Sequence, residues 1–279
     1  MAYSKRITPS SPALIIIAVD QSGSMNEAFT NHSMIVSKSE IASMIASAMI
    51  DELVCRSRHA DRNRRYFDIS VFGYSKIDAY PLLCDSWHPV PITLFEQHEP
   101  KRLIRTIEYL TPDNHLRLIE EPYSEWIEPK AAGPTPMLEM LDRVTDMVRE
   151  WCANRQNQDS FPPIVFNITD GVDEMEYTTL HKRKVEQLKQ IGTNDGNTIV
   201  INVCIDSCPK EERLNFPSLA NIPSQHPAKL LVDMSTILPE CFATLHKRYN
   251  TKLSEPPFLS LCYNAAALDI IPMLPMGVD

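Results

Sequence analysis

Residues 13–24 read Ala13-Leu14-Ile15-Ile16-Ile17-Ala18-Val19-Asp20-Gln21-Ser22-Gly23-Ser24, seven apolar residues followed by a carboxylate and two hydroxyls. An unbroken apolar run bounded by turn residues predicts a strand buried on both faces, as at the centre of a parallel sheet. The chain then turns through Gly23 toward a helix. Asp20, Ser22 and Ser24 would therefore stand at the carboxyl end of a central strand, where open α/β sheets bind their ligands. Side chains at alternate positions can face one point, and hard oxygen donors suit Mg²⁺ or Mn²⁺. Taken alone, the same residues could instead satisfy the free N–H groups of the next helix.

Two later stretches carry the same chemistry in order. Gly133-Pro134-Thr135-Pro136 precedes a helical pattern, and Ile168-Thr169-Asp170-Gly171 ends a second buried run that begins at Ile164. Here the chain resembles a von Willebrand factor A (vWA) domain with a complete metal-ion-dependent adhesion site. In that family a first motif supplies Asp, Ser and Ser, a loop threonine a fourth ligand, and a late strand-end aspartate a fifth. The resemblance implies a metal set of Asp20, Ser22, Ser24, Thr135 and Asp170. The expected ion is Mg²⁺, with Mn²⁺ or Ca²⁺ as substitutes. Only the two aspartates are charged, so they just neutralise a divalent ion and leave it open to one more anionic oxygen. In vWA domains a Glu or Asp from a partner protein completes the ion.

Glycine use points to the same loops. The chain has seven glycines against 22 prolines, and three of the seven are Gly23, Gly133 and Gly171. Each falls where backbone must pass close to an ion or adopt positive φ.

At 279 residues with 43% apolar and 23% charged side chains, the composition is that of an ordinary soluble globular protein. A net charge of −9 leaves no basic surplus to displace counterions from phosphates, which argues against nucleic acid. The N-terminal apolar run is too short to span a bilayer and no signal-peptide pattern precedes it, so no membrane association and a cytoplasmic location are expected. The seven cysteines are scattered and mostly in apolar patterns, which predicts reduced, buried thiols. Cys204 and Cys208 lack the second ligand pair that a zinc site needs.

With no internal repeat and no obvious linker, one domain is expected over residues 1–279. Residues 1–12 read as a loose lead-in, 85–132 as an irregular insertion near the metal face, and 258–279 as a C-terminal tail packing on the body. Strands are predicted at 66–73, 164–169, 198–205 and 229–232, with 79–84 an antiparallel partner of the first. Ser37 and Glu40 form a capping box ahead of Ile41, Ile45, Met49 and Leu53 at helical spacing. Further helices are expected at 101–110, 137–151, 177–191 and 238–248, with Thr135 as N-cap and Pro136 in the first turn of the second. This alternation calls for a doubly wound, mostly parallel sheet with one antiparallel edge strand and helices on both faces, an α/β, vWA/Rossmann-like architecture.

The stretch 234–240 and Tyr263-Asn264-Ala265-Ala266 resemble the closing segments of bacterial stand-alone vWA proteins. Those are encoded beside a PP2C-type phosphatase and a Ser/Thr kinase and are linked to tellurium resistance or defence; residues 268–271 and Gly277 follow that pattern only in part. The resemblance implies a metal-dependent adaptor or regulator in a kinase-, phosphatase- or ATPase-linked system, and not an enzyme. The alternative is a divalent-metal phosphohydrolase using Asp20 and Asp170. Against it, haloacid-dehalogenase-type phosphotransferases need a second acid two residues after the first, where this chain has Ser22, and no Walker or hydrolase-elbow motif is present.

Overall fold

β1 (Ala13–Asp20) is buried along its whole length, as its unbroken apolar run predicts. The computed structural model describes residues 2–31, 34–60, 62–110, 116–171, 178–206, 213–222, 228–242 and 256–264. After β1 comes a hairpin of β2 (Ala28–Asn31) and β3 (Met34–Ser37), then helix α1 (Lys38–Ser57). A ribbon of β4 (Arg58–His59) and β5 (Arg62–Asn63) leads into β6 (Phe67–Ser75), β7 (Asp78–Pro81) and β8 (Val90–Pro91). β9 (Lys101–Leu110) and β10 (Leu116–Glu125) form a long hairpin, followed by α2 (Met137–Ala153), β11 (Ile164–Thr169) and α3 (Thr178–Lys189). A ribbon of β12 (Gly192–Thr193) and β13 (Gly196–Asn197) precedes β14 (Ile199–Cys204) and β15 (Leu214–Asn215). Helix α4 (Lys229–Met234) and β16 (Leu261–Tyr263) close the described chain.

The main sheet runs β15-β16-β14-β11-β1-β6-β7, with β8 also on β6. The five strands from β16 to β6 are parallel. β7 and β8 run antiparallel to β6 at one edge, and β15 antiparallel to β16 at the other, so the expected antiparallel edge has a counterpart across the sheet. Alternation along β1 decides the layers. Ala13, Ile15, Ile17 and Val19 face α1 through Ala42, Ile45 and Met49. Leu14, Ile16 and Ala18 face α2 and α3 through Met140, Val144 and Val185. The fold is doubly wound α/β.

This winding creates the site. From β1 the chain moves to β6 by way of α1; it then crosses back to β11 and continues outward to β14. Connections leave the neighbouring strands β1 and β11 toward opposite sides, which opens a crevice at their carboxyl ends. Asp20 ends β1, and Asp170 follows β11 directly.

Several expectations change. Residues 101–110 are a strand, not a helix, and pair in full register with 116–125; Leu, Ile, Thr and Tyr favour a pleated surface once a partner strand exists. The span 85–132 is therefore built around a hairpin, and Trp126 docks it: the indole Nε1 donates to Asp51 at 2.7 Å and the backbone N–H to Ser47 Oγ at 3.0 Å. Residues 229–234 are helical because the place beside β14 belongs to β16, which leaves Leu231 and Val232 to pack on the sheet's surface. The lead-in is tied down, since the Ser4 and Lys5 amides donate to the Asp195 carboxylate at 2.9 and 3.0 Å and Ile7 is in the core. The Ser37–Glu40 capping box is present. Of the 238–248 helix, Glu240–Phe242 is a 3₁₀ turn and 243–250 lies outside the described residues, as do Cys208 and the tail 265–279.

The segment 258–264 is not a detachable tail. Leu261, Cys262 and Tyr263 are fully buried, and β16 fills the position between β14 and β15. Burying a large apolar side chain is worth about 2 kcal/mol, and a whole domain is stable by only about 5–15 kcal/mol. Truncation after residue 257 should therefore cost folding itself, seen as a lost or strongly lowered thermal transition by circular dichroism. A truncated chain that melts like the full chain would restore the tail to a packing role.

Candidate metal centre

Three loops meet at the crevice and backbone hydrogen bonds pin them together. Gln21 N–H donates to Tyr74 O at 3.0 Å, Ala132 N–H to Gln21 O at 2.8 Å, Gly23 N–H to Gly133 O at 2.7 Å, and Lys76 N–H to Pro134 O at 2.9 Å. Gly133 holds φ +77°, and a Cβ there would lie 2.8 Å from Lys76 Cγ. A side chain at 133 would press on Lys76 and push the threonine loop off the turn that follows β6. Gly171, at φ +76°, turns the chain directly after Asp170.

Asp20 is fully buried. Its Oδ1 accepts the Ser22 N–H at 2.9 Å and its Oδ2 the Thr169 hydroxyl at 2.7 Å. No cationic side chain touches it among the described residues. Burial pushes its carboxyl up to about 6, against the hydrogen bonds from Ser22 and Thr169, and the nearby Asp170 charge adds to the rise. The two hydrogen bonds only partly offset the burial of this carboxylate, and a proton or a cation would offset the rest.

The other donors are close at hand. Ser22 Oγ and Ser24 Oγ lie 3.2 Å apart, and Ser22 caps no N–H of the turn that follows, so the capping alternative holds only for the Asp20 bond to Ser22 N–H. Thr135 is not the helix N-cap. Pro136, at ψ 62°, is not yet helical, so α2 starts at Met137 and the Thr135 hydroxyl makes no hydrogen bond to a described residue. The half-buried hydroxyl is left available beside the pinned loop. Asp170 is buried, and its Oδ2 accepts the Lys38 ammonium at 3.2 Å.

These residues fit a hard divalent ion: two carboxylates and two hydroxyls at or just after strand ends and a third hydroxyl in the loop ahead of α2, with one carboxylate lacking any cation among the described residues. Mg²⁺ at this place would draw on Asp20, Ser22, Ser24, Thr135 and Asp170. The structure brings the first loop, the threonine loop and the end of β11 together.

Two participants were not assigned from sequence. Thr169, within the stretch Ile168-Thr169-Asp170-Gly171, orients Asp20. Lys38 is 2% exposed and bridges Asp170 and Glu27, with its Nζ 2.7 Å from Glu27 Oε2. Burial works to lower the Lys38 ammonium, but hydrogen bonds and charge from Glu27 and Asp170 outweigh it and hold it above the ordinary lysine value. The available signal is a lysine in register with the apolar stripe Ala42, Ile45, Met49 and Leu53.

No family model matches the sequence, and no curated protein matches it. The chain is similar to a solved von Willebrand factor type A structure from Catenulispora acidiphila, at 16% identity over 72% of this chain and a TM-score of 0.40. It is also similar to the conserved hypothetical protein BatB from Bacteroides thetaiotaomicron, at 17% over 69% and 0.34. A third is an aerotolerance-related membrane protein from Bacteroides fragilis, at 12% over 69% and 0.32. The chain spans 35%, 66% and 67% of these chains respectively. In this protein no described helix is long and apolar enough to cross a membrane.

Asp20 also sets a pH dependence. Its folded value, about 6, lies above its unfolded one near 3.8, so the native state binds more protons between them. In the metal-free protein this group's contribution therefore favours folding at low pH and is lost as pH rises from about 4 to about 6, on the order of 3 kcal/mol. Denaturant titrations in EDTA should show that slope in wild type and its absence in Asp20→Asn. The same slope in both would rule Asp20 out as its source.

Proposed function

We propose that this chain is a vWA-type, metal-dependent protein-binding module that captures a partner's Glu or Asp through Mg²⁺. The observation that carries the reading is the buried Asp20 carboxylate, without a cation among the described residues and set beside hydroxyls on two loops pinned to each other. The ion completes the charge balance there and offers its remaining position to an anionic oxygen. When bound, it supplies a fixed positive charge at the crevice. Asp20 and Asp170 hold it, while Thr169 and the Ser22 N–H fix the Asp20 carboxylate in place.

The surroundings favour an acidic partner. Beside the first loop opens a cleft of about 470 Å³ lined by Gln21, Lys76, Ile77, Asp78, Tyr80 and Lys130 among others. Its one lining carboxylate, Asp78, faces Arg143 at 3.5 Å. Tyr80 OH donates to Gln21 Oε1 at 2.6 Å and fixes its wall. Lys76 and Lys130 are exposed and pair with no described carboxylate, on a chain of net charge −9. Ile77, 86% exposed, adds an apolar contact at the rim. A place as adaptor or regulator beside a kinase, phosphatase or ATPase, in bacterial stress response or defence, belongs to this same proposal, as does a cytoplasmic location. No observation favours the phosphohydrolase alternative, and Ser22 stands where the second acid of a haloacid-dehalogenase-type site would be.

Calorimetry with MgCl₂ should show one ion per chain in wild type and none in Asp20→Ala. An immobilised polyglutamate peptide should retain the wild type in Mg²⁺ and release it in EDTA. Equal Mg²⁺ binding by both proteins would sink the proposal. Mg²⁺-dependent hydrolysis of p-nitrophenyl phosphate that disappears in Asp20→Ala would establish the phosphohydrolase instead.

A further inference from the structure

Lys38 sits where an isolated helix would not choose a cation. It is the first residue of α1, close to the positive end of the helix dipole, and its side chain is 3% exposed. Three contacts hold it there. Its backbone N–H donates to Glu27 O at 3.0 Å, while its ammonium donates to Glu27 Oε2 at 2.7 Å and to Asp170 Oδ2 at 3.2 Å. Glu27 and Lys38 flank the β2–β3 hairpin, so the first two contacts close its base. The third reaches into the candidate metal centre and occupies one of its two carboxylates. Asp20 has no such cation among the described residues.

We infer that Lys38 is a tethered competitor of the divalent ion for Asp170, holding that carboxylate when the ion is absent and keeping to Glu27 when the ion is bound. The inference rests on the metal-binding reading above and adds to it what sets the ion's affinity. Two positive charges cannot share Asp170 without mutual repulsion, which is strong in a buried setting. Glu27 gives the displaced ammonium a partner it already touches, so the exchange strands no buried charge. Its carboxylate is 61% exposed, which lets it follow the ammonium without leaving solvent. Lys38 is thus a positioning residue that weakens Mg²⁺ binding and keeps Asp170 paired without it.

The test is a double-mutant cycle read by Mg²⁺ calorimetry and by melting in EDTA, on wild type, Lys38→Met, Glu27→Gln and the double variant. Lys38→Met should bind Mg²⁺ roughly tenfold more tightly and gain more melting temperature from Mg²⁺ than wild type does. Glu27→Gln should bind roughly threefold more weakly, because Asp170 is then the ammonium's one carboxylate among the described residues. That weakening should largely vanish when Lys38 is absent. If wild type binds Mg²⁺ and Lys38→Met binds it equally or more weakly, this inference fails and the metal site stands. It fails in the same way if Glu27→Gln acts identically in both backgrounds. Should Lys38→Met not fold without the ion, Glu27→Gln decides alone: weaker binding supports the competition, and equal or tighter binding overturns it. No Mg²⁺ bound by wild type or by Lys38→Met overturns both readings.

Discussion

Taking a carboxylate out of water costs several kcal/mol unless a cation or enough hydrogen bonds replace the solvent. Asp20 has two hydrogen bonds and no cation among the described residues, and its carboxyl is pushed up to about 6. Its place cannot relax. The residue ends the central strand of the sheet, with β11 on one side, β6 on the other and packed helices on both faces. The surrounding loops are arranged around this carboxylate.

Each neighbour answers to it. Thr169, level with the end of β1, gives its hydroxyl to Asp20, and the turn at Gly171 carries the chain away directly beyond Asp170. Gly133 lets the threonine loop close on Gly23, which brings Thr135 alongside without using its hydroxyl as a cap. Lys38 balances Asp170 and leaves Asp20 unbalanced. The asymmetry between the two aspartates, one with a cationic partner and one with none among the described residues, is what the proposed ion would answer.

Much of this was legible in the residues. The buried run 13–19 placed the central strand, the helical stripe 137–151 placed α2, and two of the three glycine-bearing loops, at Gly23 and Gly133, meet by a backbone hydrogen bond. What stayed hidden depended on contacts between distant segments. Residues 101–110 become a strand only because 116–125 lies beside them, and 229–234 becomes a helix only because Leu261–Tyr263 has taken the place beside β14. The contact of Lys38 with Asp170 spans 132 positions and leaves no local trace beyond a lysine in register with an apolar stripe. Thr135 read as a cap by the usual preference, and the non-helical ψ of Pro136 moved the helix start by one residue.

Everything proposed for the crevice depends on Asp20 being a buried carboxylate that a divalent cation completes. The most direct measurement is a carbon-13 NMR titration of the aspartate carboxyls, with Asp20 assigned by substitution, in EDTA and in saturating Mg²⁺. The Asp20 carboxyl should titrate near 6 without the ion and fall below the ordinary carboxylate range with it. An Asp20 resonance that titrates identically in the two conditions would contradict that dependence.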